Sequence, residues 1–355
     1  MRRVPELDAL RGLAAVVVLL FHLDPPRYFP GWSGVDLFFV LSGYLITSII
    51  LKNAGTSGFY PRFYARRSIR IWPIYYLTLL VLIVANFFSS EDVPMNDLPY
   101  ALTFTQNISL YWGKYPPANH PATNHLWTLA VEEQFYLIWP ALVLWAGRRR
   151  LVPLCLLAIS IALASRDGYN WFLPKYHDRL LIARCDGFAL GGILAWLLDE
   201  GGWARLRPDL GNRAFGATVG LVVLYFAWGM WAEGPIGFVG LPTPSHPAET
   251  IFAFGLLYAG VVGLVALNAG NRWLLPLRLR WLAYLGQISY GIYLYHYVVY
   301  WFIDGCRTGI AIEEGQRWPT QALKLGVTLI VAIASWHLIE RPILGLKDRF
   351  RYRDP

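Results

Sequence analysis

Charge is scarce in this chain. Of its 355 residues only 15% are Asp, Glu, Lys or Arg, while 56% are hydrophobic. Soluble domains carry about 25% charged residues, so an ordinary soluble domain is excluded. Cysteine is scarcer still: Cys155, Cys185 and Cys306 stand isolated. That excludes a disulfide framework and a Cys-x-x-Cys metal or redox motif, and leaves buried apolar fillers as the expectation. His120, His125 and His246 show no zinc-helix spacing, and no Gly-x-Ser-x-Gly elbow, Walker loop or dinucleotide fingerprint is present. No metal is expected. There is no repeat of fixed period and no inverted-repeat symmetry of the transporter kind. The net charge is +8, yet no basic cluster interleaves with stacking aromatics, so nucleic acid is not an expected partner. A cleavage site is missing too. Phe21-His22-Leu23-Asp24-Pro25 stands where a signal peptide needs small residues, so the first apolar run is expected to be retained.

What the chain does have is a succession of apolar runs bounded by charges or by Pro/Gly clusters. They predict an all-α polytopic membrane protein of about ten transmembrane helices, as one transmembrane domain over 1–355 with no separate soluble domain. The expected spans are 10–23, 35–51, 71–88, 124–146, 151–164, 180–198, 214–231, 250–267, 281–302 and 321–339. Charge tests that number. With both termini cytoplasmic, the inner segments hold 22 Lys and Arg, and the outer ones hold seven: Arg27, Lys114, Arg166, Lys175, Arg179, Arg307 and Arg317. Arg11, at the inner end of the first span, is counted with the 22, and Arg184 and Lys324 inside spans complete the 31. This is the positive-inside bias, and one span more or fewer would scramble it. The 16 Trp and 21 Tyr suit the aromatic belts of a bilayer.

The first span puts Arg11 near one end and His22 near the other. On a helix an 11-residue step turns about 1100°, three turns and roughly 20°, so both lie on one face about 16 Å apart. Between them that face carries the slim Ala15 and Val18. Asp8 to His22 covers only about 21 Å of a core near 30 Å, which recesses His22 below the outer surface. A neutral imidazole is suited to accepting a hydroxyl proton near pH 7; a satisfied buried histidine is the bland alternative.

Other ionisable groups in spans invite functional readings because they are expensive there. Arg184 and Asp186 read as an internal charge pair. Glu132 reads as an arginine's partner or as an acid/base. Asp36 reads as a group at the N-terminal end of the second span, where the dipole favours a carboxylate. His296 reads either as a core histidine bonded to a tyrosine or as a functional group. The run Arg62-Phe63-Tyr64-Ala65-Arg66-Arg67-Ser68-Ile69-Arg70 reads equally as a topology signal or as a phosphate site leading into a helix N-terminus at Pro73.

At this point several motifs, in order along the chain, resemble the membrane-bound acyltransferase-3 family. They are Leu7-Asp8-Ala9-Leu10-Arg11-Gly12 with His22; Gly34-Val35-Asp36-Leu37-Phe38-Phe39-Val40-Leu41-Ser42-Gly43; and Phe63 to Pro73. Further on come His125-Leu126-Trp127-Thr128 with Glu132-Glu133-Gln134-Phe135-Tyr136; Arg184-Cys185-Asp186-Gly187; Ile288-Ser289-Tyr290 with Tyr293 and His296; and Ile339-Glu340-Arg341-Pro342. Thr128 stands where the family pattern leads one to expect serine, a departure that keeps the hydroxyl.

The resemblance implies O-acylation (an EC 2.3.1-type acyltransferase) at the bacterial inner membrane. The donor would be a cytoplasmic acyl-CoA, most readily acetyl-CoA, and the acceptor a hydroxyl of a carbohydrate or small molecule. On this reading the CoA phosphates bind Arg66, Arg67 and Arg70, with Arg11 at the mouth. The thioester arm runs beside Ala15 and Val18, and His22 acts as general base, with Glu132 as a further catalytic candidate. Asp36, Ser42, Thr128 and His296 serve substrate binding or structure, the hydroxyls of Ser42 or Thr128 being candidate oxyanion donors. Tyr111, Trp112, Tyr115, Trp171 and Phe172 are candidates to stack on a sugar. Some members of the family add a C-terminal esterase domain of the SGNH type; with the chain ending at Pro355, none is expected. A transporter of a glycan or small molecule is the rival class, and the oligomeric state, a homo-oligomer included, is left open.

Overall fold

The structure is a computed structural model, and it describes residues 4–25, 27–28, 30–87, 98–111, 121–167, 177–239, 247–305 and 317–352. Among these residues every regular element is helical. In chain order they are α1 (Pro5–Leu23), α2 (Gly34–Asn53), α3 (Phe59–Phe87), α4 (Leu98–Leu102), α5 (Gln106–Tyr111), α6 (Trp127–Asp167), α7 (Leu181–Leu198), α8 (Trp203–Leu206), α9 (Pro208–Val239), α10 (Pro247–Leu267), α11 (Arg280–Gly305), α12 (Arg317–Ser335) and α13 (Arg341–Leu344). Among the described residues, six stretches are long and apolar enough to cross a membrane: Gly31–Asn53, Phe59–Phe87, Leu181–Leu206, Pro208–Ala232, Ala248–Leu267 and Trp318–Phe350. The chain is a multi-pass helical membrane protein. The helices α1, α6 and α11 fall outside the six, and each spends positions on polar groups. Glu6, Asp8 and Arg11 lie in α1, Glu132 and Glu133 in α6, and six tyrosines in α11.

Three helix bounds differ from the sequence reading, each for a physical reason. The first helix starts at Pro5, a residue pre-set for a first helical turn. Its 19 residues therefore reach about 28 Å, so it is not a short helix. The basic connector 59–70 is already helix, and Pro73 lies inside α3 instead of opening it. The fourth and fifth expected spans form the two limbs of α6, broken at Gly147, whose φ of 64° is open to glycine at no steric cost.

The described residues fall into two compact units, Met1–Lys52 with Val131–Gln287, and Asn53–Ala130 with Ile288–Pro355. In the first unit small residues let backbones meet, the packing mode favoured between helices in lipid. A Cβ on Gly34 would sit 2.8 Å from Val18 Cγ2, and one on Gly12 2.8 Å from the Gly286 nitrogen. Gly43 and Gly191 do the same where α2 crosses α7, against the Phe188 and Val40 carbonyls. Phe188 stacks on Phe135 at 4.0 Å beside that crossing. Helix α10 packs on α7 and α9, and Asn268 Nδ2 donates to Asn212 Oδ1 at 2.6 Å to tie α9 to α10. The start of α1 is anchored by Glu6, whose Oε1 accepts from Arg278 Nε at 2.6 Å and from the Gly270 N–H at 3.1 Å.

In the second unit, Tyr75 of α3 donates to the Ala101 carbonyl at 2.8 Å and stacks on Phe104 at 4.3 Å. Gln106 Nε2 donates to the Leu126 carbonyl at 2.8 Å. Helix α12 ends in a π-helical turn, Trp336–Glu340, that leads into α13. Glu340 is buried there and accepts from Ser335 Oγ at 3.0 Å, while Ser335 shares a 2.8 Å hydrogen bond with the Tyr295 hydroxyl. A 3-10 turn, Gly345–Phe350, follows α13 and packs on α3.

Candidate active site

The expected site residues divide between the two units, and each group is described within its own. In the first unit α1 is unbroken from Arg11 to His22, so the shared face and the separation of about 16 Å hold. Both side chains are half-buried. The stripe between them is not open, however. Ala15 and Val18 are each 1% exposed, and Gly34 at the head of α2 lies against Val18. Small residues on that face serve helix packing, which leaves no open stripe between Arg11 and His22. Arg11 itself is unusual. Its Nε is buried without a hydrogen-bond partner, and among the described residues no carboxylate pairs with its guanidinium.

Four buried charges lie elsewhere in the same unit, and they pair differently from the sequence reading. Arg184 and Asp186 are not partners of each other. Arg184 Nη1 donates to Asp36 Oδ1 at 3.0 Å and its Nε to the Asp178 carbonyl at 2.8 Å. Asp186 takes a two-pronged grip from Arg166, at 3.1 and 2.7 Å. Arg166, counted above among the outer cations, is 2% exposed; it sits at the end of an apolar run, which was the signal that it belongs to the helix. Two residues apart on α7, Arg184 and Asp186 point to different neighbours, as helical spacing requires. Asp36 Oδ2 is buried and unpartnered.

Deeper along α2, Ser42 Oγ donates to Glu132 Oε1 at 2.7 Å and lies 3.3 Å from the Tyr136 hydroxyl. Glu132 and Tyr136 are one helical turn apart, so one face of α6 presents both to Ser42. With its proton given to a carboxylate, the Ser42 hydroxyl is not free to serve an oxyanion.

In the second unit Arg66, Arg67 and Arg70 lie on α3, one turn apart from first to last. Arg66 Nη1 donates to the Lys347 and Phe350 carbonyls at 2.9 and 3.3 Å, and Arg67 lies 5.9 Å from the Phe63 ring. Because Pro73 is internal to α3, it opens no helix N-terminus beside these arginines. Thr128 Oγ1 donates to the His125 carbonyl at 3.1 Å and is 2.6 Å from the Tyr293 hydroxyl. His296 is fully buried, its Nδ1 2.6 Å from the Tyr293 carbonyl. His125 places Nε2 3.2 Å from the Leu294 carbonyl and stacks on Tyr297 at 4.8 Å. These contacts join the head of α6 to the middle of α11 through His125, whose weight in this cluster the sequence reading missed. The side chains of Tyr111, Trp112, Tyr115, Trp171 and Phe172 lie outside the described residues, as do His120, His246 and Cys306.

The chain belongs to the acyltransferase-3 family: the profile described as an acyltransferase domain matches residues 4–337. Among curated proteins it is similar to the peptidoglycan O-acetyltransferase OatA of Listeria monocytogenes, 29% identical over 96% of this chain and 56% of that protein. It is similar also to the putative peptidoglycan O-acetyltransferase YrhL of Bacillus subtilis, 30% identical over 96% of this chain and 55% of that protein. A putative O-acetyltransferase of Staphylococcus aureus is 26% identical over 96% of this chain and 57% of its own length. The chain thus spans about half the length of the curated relatives it matches. No solved structure matches it.

Proposed function

We propose that the chain is a membrane-embedded O-acetyltransferase of the cytoplasmic membrane, moving acetyl from acetyl-CoA to a glycan hydroxyl, with peptidoglycan as the acceptor. Membership of the acyltransferase family and likeness to peptidoglycan O-acetyltransferases support the reaction class. The observation that carries the site is Arg11, a cation with no carboxylate partner among the described residues, on one helical face with His22. An unmatched, partly buried guanidinium is poised for an anionic ligand. In the reaction His22 takes the acceptor's hydroxyl proton as its oxygen adds to the thioester carbonyl carbon. The C–S bond then breaks, and CoA leaves as the thiolate. Arg66, Arg67 and Arg70 form the basic face that receives the CoA phosphates. Ten spans with both termini cytoplasmic, as one acyltransferase domain, complete the reading.

The test is release of free CoA by the purified full chain in detergent, given acetyl-CoA with and without peptidoglycan fragments. Release that depends on the glycan, with ester-linked acetate on the product, is expected; no release with any glycan overturns the proposal. His22→Ala is expected to lose transfer by at least about a hundredfold, the usual contribution of a general base, while still binding acetyl-CoA. Normal turnover in that variant removes His22 from the chemistry.

A further inference from the structure

Between α10 and α11, residues 268–279 form a connector built on a 3-10 segment, Arg272–Arg278. Its seat is fixed by buried groups. Arg278 donates from Nε to Glu6 Oε1 at 2.6 Å and from Nη2 to the Asn271 carbonyl at 3.1 Å. The Gly270 N–H reaches the same Glu6 oxygen at 3.1 Å. Glu6 and Leu274 are buried, and Asn271 Nδ2 donates to Asn268 Oδ1 at 2.9 Å. A segment pinned in this way keeps one side toward the protein.

Four large apolar side chains around this seat are uncovered. Trp273, Leu275, Leu279 and Trp281 are 57, 54, 47 and 60% exposed, and an exposed apolar patch marks a protein partner or a membrane. Two observations choose the membrane. The first is position: α10 lies in a stretch apolar enough to cross a bilayer, Ala248–Leu267, and the connector begins where that stretch ends. The second is charge. Arg272 and Arg280 are exposed and make no ion pair among the described residues, and residues 268–281 hold no Asp or Glu. Trp rings settle at headgroup depth, where an arginine stem lies along apolar surface and lifts its guanidinium to the phosphates. A leaflet of negative charge complements such a patch.

We infer that this connector is a docking surface for anionic lipid. Trp273, Leu275, Leu279 and Trp281 lie in the interfacial zone of the near leaflet, and Arg272 and Arg280 hold headgroups of net negative charge beside them. The Glu6–Arg278 pair keeps the surface in place and ties it to the start of α1, five residues before Arg11. The inference stands apart from the choice of acyl donor and acceptor, and it gives the connector a binding task beyond setting topology.

The experiment puts a nitrobenzoxadiazole fluorophore on Leu275→Cys of the full chain, with Cys155, Cys185 and Cys306 replaced by alanine. Leu279→Cys is a second label site. The protein is placed in nanodiscs of mixed phosphatidylcholine and phosphatidylglycerol, with one lipid or the other brominated, and quenching reads how often each lies against the label. Blue-shifted emission and quenching by both lipids are expected. Phosphatidylglycerol should be preferred on the order of fivefold for each arginine that holds it. Arg272→Ala/Arg280→Ala should abolish the preference and keep the quenching by phosphatidylcholine. Arg272→Lys/Arg280→Lys should retain the preference, because an ammonium serves a headgroup phosphate as a point charge. Unshifted, unquenched emission at both sites would mean that the connector stands off the bilayer and its apolar patch awaits a protein; that overturns the inference. Equal quenching by the two lipids in the parent chain overturns it as well, since the arginines then select nothing. A preference that survives the double alanine variant comes from elsewhere in the molecule and removes Arg272 and Arg280 from the role.

Discussion

Arg184 reaches from α7 to Asp36 at 3.0 Å, and Arg166 grips Asp186 two residues further on. Each of the four side chains is almost wholly buried, where a charge is tolerable only if matched. Arg184→Ala leaves Asp36 without its cation and is expected to cost ~3–5 kcal/mol of stability, the usual penalty for breaking a buried pair from one side. Asp36→Ala should cost a similar amount. The double variant should cost clearly less than the two together, since neither charge is then stranded. Thermal unfolding of the four forms in one detergent measures this. Strict additivity would mean that the two groups do not act as a pair, and that Asp36 is matched elsewhere. At this scale the sequence was legible only in part. It marked all three span residues as costly, but it paired Arg184 with Asp186 because they are neighbours in the chain. Asp36 lies 148 residues from Arg184, and no local pattern encodes that contact. Arg11 was legible for the opposite reason: its position relative to His22 is set by one uninterrupted helix.

At the scale of elements, glycine decides how closely α2 and α7 approach. A methyl at Gly43 would collide with the Phe188 carbonyl, and one at Gly191 with the Val40 carbonyl. Backbone cannot yield as a side-chain tip can, so Gly43→Ala is expected to destabilise by ~1–3 kcal/mol, the range for overpacking. Gly326 in α12 has open space where its Cβ would be, and Gly326→Ala should be neutral or stabilising by up to ~1 kcal/mol. Unfolding of both variants in one lipid mixture tests the contrast; equal effects would show that helix propensity, not interhelical contact, governs these sites. Some helix ends were legible in the chain. Charges and Pro or Gly residues bound α2, α7 and α10 within three residues of the expected limits. The error at α3 has a clear origin. Charges in residues 62–70 read as the outside of a span and Pro73 as its first turn, yet a basic helix can extend an apolar one, and a mid-helix proline is tolerated in membrane proteins where neighbours re-satisfy the freed carbonyls.

For the whole molecule the open quantity is how many of the helices cross the bilayer. The six most apolar stretches exclude α1, both limbs of α6, and α11. If only those six crossed, with the N-terminus inside, residues 54–58 and the basic connectors near 205–213 and 272–280 would face outward, against the positive-inside tendency. With ten crossings all three connectors face inward, and so does Arg148-Arg149-Arg150 beside the Gly147 break in α6. Single cysteines separate these arrangements, in a background with Cys155, Cys185 and Cys306 replaced by alanine. An impermeant maleimide applied to intact cells is expected to label Tyr28→Cys, between α1 and α2. Ser57→Cys, between α2 and α3, and Arg149→Cys, in α6, should react only after permeabilisation. Six crossings with the N-terminus inside would instead protect Tyr28→Cys and expose Ser57→Cys. Six crossings with the N-terminus outside would reproduce the first two results but label Arg149→Cys from outside. The α6 probe is therefore decisive. It asks whether a helix carrying Glu132 and Glu133 crosses the bilayer, as it must if Ser42 and Glu132 meet within it.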